Sequence, residues 1–291
     1  MNTKFDEELF FTSKTGSRLY HEYAENLPII DYHCHLKTSE ICDDREFEDL
    51  GEMWLRGDHY KWRAMRTFGI DEEYITGKAG YHDKYLAFAS VFPKLIGNPV
   101  YIWCALELKR YFDIDEPLTA ENAEEIYQRT KELIVKRHMT RRWCMEHSNV
   151  RLVSTTEDPV DDLHCHIALQ KEKMFTRVIT AFRPDKAMFI EQDGFSDYLD
   201  QLQGVSGIGI VSFETMLDAL EARLKFFQEQ PAPRSVMTGS HILHGLIIRI
   251  RRLPGYLKRQ GRMNLCHPMR LTSTRARSFM RWGAGTAGTI M

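Results

Sequence analysis

Apolar and polar positions along this chain alternate in two rhythms, and the changes of rhythm mark its elements. The first strong signal is Pro28-Ile-Ile-Asp-Tyr-His-Cys-His-Leu36, where an apolar run leads into polar residues at period two. That pattern predicts a strand over Ile29–His35, with His33 and His35 on one face and Cys34 on the other. Before it, Leu19, Tyr20 and Tyr23 predict a short amphipathic helix over Ser17–Leu27. After it, about a hundred residues read as helical: 45–56, 59–68, 81–92, 101–112 and 120–138, the last with Thr119 as N-cap. Gly57, Gly69, Gly77, Gly80 and Gly97-Asn98-Pro99 fall at the breaks between them.

Two further strands are predicted at Asn149–Thr156 and Thr176–Arg183, each with a polar end that turns into helix. Helices follow near Val160, over 196–202 and over 212–228. Strand and helix in alternation imply a parallel sheet. The fold class read from this order is α/β, a partial (β/α)8 barrel of the TIM type. A helical insertion, about 40–147, follows its first strand, and the C-terminal half of the barrel is missing.

Charge divides the chain near Gln230. Eleven of the 39 Lys and Arg but none of the 41 Asp and Glu lie beyond it, although the overall net charge is only −2. Residues 1–230 therefore form the barrel part, and 231–291 read as a basic, acid-free tail, disordered or translated out of frame. Within that tail, 241–253 mix Arg with aliphatic residues without a cap or a period, and the tail from 231 on is expected to supply none of the missing strands. No nucleic-acid motif accompanies the charge, so no nucleic-acid partner is expected. No apolar run reaches membrane-spanning length, the six cysteines form no CxxC pair, and the N-terminus carries no signal pattern. These features point to a cytoplasmic protein without a membrane partner.

The candidate chemistry begins with the two histidines, because two imidazoles on one face can share a metal ion. Twelve histidines predict roughly half of one His-x-His by chance, so the motif alone is weak. A second copy, His164-Cys165-His166, lies in a helical pattern that turns its histidines to opposite sides of an axis, and it reads as a decoy. Trp54, Trp62, Trp103 and Trp143 read as core residues at helical spacing.

Taken in order, Asp31-Tyr-His-Cys-His-Leu36, Gly57-Asp-His-Tyr-Lys-Trp-Arg-Ala-Met-Arg66, Ile96-Gly-Asn-Pro99, Thr155-Thr-Glu-Asp-Pro159 and Phe182-Arg-Pro-Asp-Lys-Ala187 closely resemble the uronate (glucuronate) isomerase family, from about Phe10 to about Gln230. The resemblance implies an amidohydrolase-type barrel that interconverts D-glucuronate with D-fructuronate and D-galacturonate with D-tagaturonate. It implies a divalent metal, zinc by family habit, on His33 and His35. It assigns substrate contact to His59, Tyr60 and Arg183, with His59 and Tyr60 as the catalytic pair. Hexuronate is the partner so implied, and oligomeric full-length members fit the resemblance. Blander readings stand beside these: Arg183 in a strand-end ion pair, Tyr60 as a core aromatic, and His59 held by local bonds at a helix start. A metal-dependent hydrolase of the amidohydrolase type, or a non-catalytic basic-tailed fragment, are the alternatives. Lacking the second half, the chain as written is expected to show no useful isomerase activity.

Overall fold

The structure, a computed structural model, describes residues 7–230 and 234–235. The chain divides into two units, Met1–Leu27 with Asp44–His147, and Pro28–Asp43 with Ser148–Met291.

In the first unit every described element is helical. Its core gathers Leu50, Trp54, Leu55, Met65, Tyr85, Phe88, Phe92, Cys104, Leu108, Ile126 and Ile134 from helices that each turn one apolar stripe inward. The caps explain where helices begin. Asp49 accepts the Glu52 amide at 2.8 Å and starts Leu50–Leu55, while Asn98 accepts the Val100 amide at 2.9 Å and starts Pro99–Phe112.

These ends differ from several expected ones. The predicted helix over 45–56 begins only at Leu50, because Asp44, at φ 47°, ends a separate helix Thr38–Asp43 and the next cap is Asp49. The predicted 120–138 helix runs from Ala123 to Arg137. Thr119 spends its hydroxyl on the Asn122 amide, at 3.4 Å, instead of starting the helix itself. The N-terminal amphipathic helix is Lys14–Leu19 followed by a wide π turn Tyr20–Ala24. It buries no residue, and Leu19 and Tyr23 are exposed. Trp103 is also a correction. In Pro99–Phe112 the buried row is Val100, Cys104, Leu108 and Phe112, at a spacing of four, and Trp103 falls beside that row at 43% exposure. Trp54 is core, and Trp62 and Trp143 pack against it partly buried.

In the second unit four strands form one parallel sheet in the order β1 (Ile29–Asp31), β2 (Val150–Glu157), β3 (Arg177–Phe182) and β4 (Arg234–Ser235). β4 lies in the stretch from which no strand was expected. It becomes available because the helix Phe213–Glu229 ends at Gln230, whose backbone ahead of Pro231 is extended (φ −67°, ψ 149°). The expected strand-and-helix alternation holds for β2, the helix His164–Lys171 and β3. One face of the sheet packs on helices. Phe182 meets Phe227 at a ring separation of 5.1 Å, within a core that includes Leu163, Phe195, Leu199, Leu202, Phe213, Met216 and Leu220. Among the described residues, no helix is long and apolar enough to cross a membrane.

Candidate functional site

β1 is shorter than its sequence suggests. Its pairing with β2 shifts register between Ile29 and Ile30, and the strand stops at Asp31, whose carboxylate accepts the His33 amide at 3.3 Å. An Asp side chain that takes a backbone donor two residues on competes with the sheet ladder, so 32–33 form a bend. Pairing then resumes for one residue, as the Cys34 amide donates to Ser154 O at 2.9 Å. That bond sets Cys34 beside Thr155, and Cys34 is buried while His33 and His35 are exposed. The alternation expected of a longer strand therefore survives the bend. The two imidazoles lie 5.0 Å apart between ring centroids, at an interplanar angle of 89°.

Arg183 follows β3 directly. Its amide continues the parallel ladder to Glu157 O at 2.9 Å, and its side chain, 43% exposed, donates from Nε to Asp185 Oδ2 at 2.6 Å. Thr155 faces Thr180 and Glu157 faces Phe182 across the β2–β3 register, on the helix-covered side. By alternation Ser154, Thr156 and Arg183 belong to the opposite side, as do His33 and His35. Ser154 Oγ is buried there without a hydrogen-bond partner among the described residues.

His59 and Tyr60 belong to the first unit, where they open the helix His59–Thr67. Asp58 caps it, accepting the Tyr60 and Lys61 amides at 2.8 and 3.2 Å. The other Asp58 oxygen accepts from the buried Lys61 ammonium at 2.6 Å. Burial works against that charge, but Glu107, Cys104 and Asp58 outweigh it and raise the Lys61 pKa. The rings of His59 and Tyr60 lie 4.3 Å apart, and Trp103 meets Tyr60 edge-on at 5.8 Å. Tyr60 is half exposed and is not a core aromatic. Trp103 is the residue that sequence reasoning missed here. The signal available was its place one position before Cys104, off the buried row of its helix.

The structure thus brings together His33 with His35, His59 with Tyr60, and Arg183 with Asp185. Among the described residues no group of three or more His, Cys, Asp or Glu side chains could hold a metal ion.

Sequence reasoning also missed a buried cluster on the helix side of the sheet, behind the His pair. Glu157 accepts from Thr38 at 2.7 Å on one oxygen, and from Thr155 at 3.0 Å and from Thr180 on the other. His166, only 1% exposed, brings Nε2 to 2.9 Å from Thr155 Oγ1. Burial lowers the His166 pKa against the opposing pull of Glu157. The helical placement of His164-Cys165-His166 is as its periodicity predicts, in the helix His164–Lys171, with the His164 side chain 75% exposed.

A family model described as glucuronate isomerase matches residues 1–241. A uronate isomerase of Caldanaerobacter subterraneus subsp. tengcongensis is 47% identical over 228 residues, which are 78% of this chain and 49% of that protein. A uronate isomerase of Clostridium perfringens is 45% identical over 230 residues, 79% of this chain and 49% of that protein. The chain spans about half the length of the curated relatives it matches. Among solved structures, uronate isomerase from Thermotoga maritima superposes with a TM-score of 0.76 at 28% identity, covering 97% of this chain and 61% of that one.

Proposed function

The chain belongs to the glucuronate isomerase family, and from that premise we propose that it is the N-terminal part of a hexuronate aldose–ketose isomerase. In this reading the four-stranded sheet is the start of a (β/α)8 barrel, the helices of 44–147 are an insertion after its first strand, and residues beyond the barrel part are a separate tail. The substrates are D-glucuronate and D-galacturonate, and the location is cytoplasmic. The observation that carries the reading is the family match over residues 1–241, together with a paired His33 and His35 at the C-terminal end of β1.

The reaction moves a proton between two adjacent carbons through an enediol. It needs a proton carrier, a polarised carbonyl oxygen and a partner for the substrate carboxylate. His33 and His35 fit as two ligands of a divalent ion of the zinc type, since both rings are exposed and adjacent. When bound, such an ion supplies positive charge that polarises a substrate oxygen. Arg183 serves the carboxylate. Asp185 takes its Nε edge and orients the guanidinium, and the terminal nitrogens are left to donate. Tyr60, half exposed and held by the Asp58 cap and the Trp103 edge, carries a hydroxyl proton, with the His59 ring tilted beside it.

The test is uronate binding by the 291-residue chain, read by saturation-transfer NMR on D-glucuronate and on neutral D-glucose. Glucuronate is expected to give the stronger signal, and Arg183→Lys to weaken it by roughly 1–3 kcal/mol, because Lys keeps the charge but loses the fork. Equal signals from the two sugars, or an unchanged signal in Arg183→Lys, would remove the carboxylate role.

A further inference from the structure

We propose that Thr38 is a positioning residue for the His33–His35 pair, tying the segment that carries both histidines to a carboxylate anchor built from Glu157, Thr155, Thr180 and His166. The inference rests on the reading of that pair as metal ligands and adds the device that aims it.

Proton counting gives the anchor its order. Each threonine hydroxyl has one proton and two lone pairs. Thr38 sends its proton to Glu157 at 2.7 Å, in preference to Thr155 Oγ1 at 3.1 Å or His166 Nε2 at 3.4 Å. Thr180 sends its proton to the other Glu157 oxygen, and Thr155 Oγ1 lies 3.0 Å from that oxygen and 3.2 Å from Ile179 O. His166 Nε2 meets Thr155 Oγ1 at 2.9 Å. Thr155 thus links His166 to Glu157, and Thr38 closes the cluster from the far side. Thr38, Ser154, Thr155 and His166 are all buried, so water is a poor substitute for any of these partners.

The consequence falls on six residues. The segment 33–38 carries the two exposed histidines: His35 lies between two fixed points, the Cys34 amide on Ser154 O at 2.9 Å and the Thr38 hydroxyl on Glu157, and His33 directly precedes the first of them. Thr38 also opens the helix Thr38–Asp43, which packs against the helix bearing His166. Between those points His35 has little freedom to turn away from His33. Loss of the Thr38 hydroxyl removes one of the two anchors that flank it.

A probe that needs two imidazoles and brings its other ligands itself is nickel(II)–iminodiacetate. Its affinity for the full 291-residue chain can be measured by calorimetry beside hydrogen exchange at the Cys34 amide. Thr38→Val keeps the shape and removes the hydroxyl; Thr38→Ser keeps the hydroxyl. In Thr38→Val, probe affinity is expected to fall and Cys34 exchange to quicken, each about five- to tenfold, as for one lost buried hydrogen bond. Thr38→Ser should restore both, and Glu157→Gln should follow Thr38→Val. Wild-type binding with an undiminished affinity in Thr38→Val overturns the positioning role, even if exchange quickens, since the hydroxyl would then be merely structural. Binding by the wild type no tighter than by a His33→Ala/His35→Ala chain overturns the ligand pair itself, and the two failures are distinguishable.

Discussion

His33-Cys34-His35 and His164-Cys165-His166 are the same three residues in two backbones, and they end in opposite circumstances. In the first, extended geometry resumes after the Asp31 bend, so the outer residues share a side and the middle one is buried. In the second, a helix turns about 100° per residue, so His164 faces solvent, where Asp162 holds its Nδ1 at 2.6 Å, while His166 is driven into the sheet. A tripeptide does not carry a function; the period of its backbone decides which side chains meet. The second copy is no idle duplicate either, because His166 ends in the anchor behind the first.

The comparison is broken most severely from the buried side. His166→Ala removes a packed imidazole and its hydrogen bond with Thr155, which should cost about 2–4 kcal/mol. The measurement is native-state hydrogen exchange of the slowest β2 and β3 amides, which reports the second unit by itself. A loss below about 1 kcal/mol would return His166 to the status of a spectator.

A smaller effect sharpens the contrast through pH. The folded-state pKa of His166 is lowered from the ordinary 6.5 by burial, with His164 adding to the shift and Glu157 opposing it. The unfolded chain then binds the proton more readily, so stability is fully present above about pH 6.5 and is lost as pH falls from there through the lowered folded value. Exchange of the β2 and β3 amides should accelerate over that window in the wild type and in His33→Ala/His35→Ala. In His166→Asn, which does not titrate, the acceleration should vanish.

The smallest effect is expected at the three exposed histidines. His164→Ala and His33→Ala/His35→Ala should each change stability by no more than about 0.5 kcal/mol, since these side chains are exposed and surface contacts such as that of His164 with Asp162 contribute little. Equal stability with loss of nickel(II)–iminodiacetate binding only in the His33/His35 variant would complete the contrast between the motifs.

Much of the second unit was legible before any coordinates. The apolar runs at 150–157 and 177–182 are β-branched, bounded by turn residues and followed by helix, and both are strands within one or two residues of expectation. Helix starts were legible where an acceptor side chain precedes an apolar period, as at Ser212, whose hydroxyl accepts the Thr215 amide at 3.2 Å. They were misjudged where two acceptors compete, as Thr119 and Asn122 do, because each can satisfy the other. Of the candidate site, the residue types and the shared face of His33 and His35 were readable from period two; that Arg183 belongs to the same side of the sheet was not, since it depends on the register between strands. The Trp103 edge against Tyr60 was not, since helical spacing names a buried row but not what lies beside it.

Sequence by itself determined the local alternation, the caps, the family blocks and the shared face of His33 and His35, because each depends on neighbours within a few positions. It could not reach the Glu157 anchor. Thr38 lies 119 positions from Glu157, and Thr180 lies 23 positions beyond it. No period connects them, and each looks like an ordinary polar residue at an element's end. Only the parallel register of β2 and β3 and the packing of two short helices on that sheet put three hydroxyls and an imidazole around one carboxylate. A buried charge must find its donors wherever the fold supplies them.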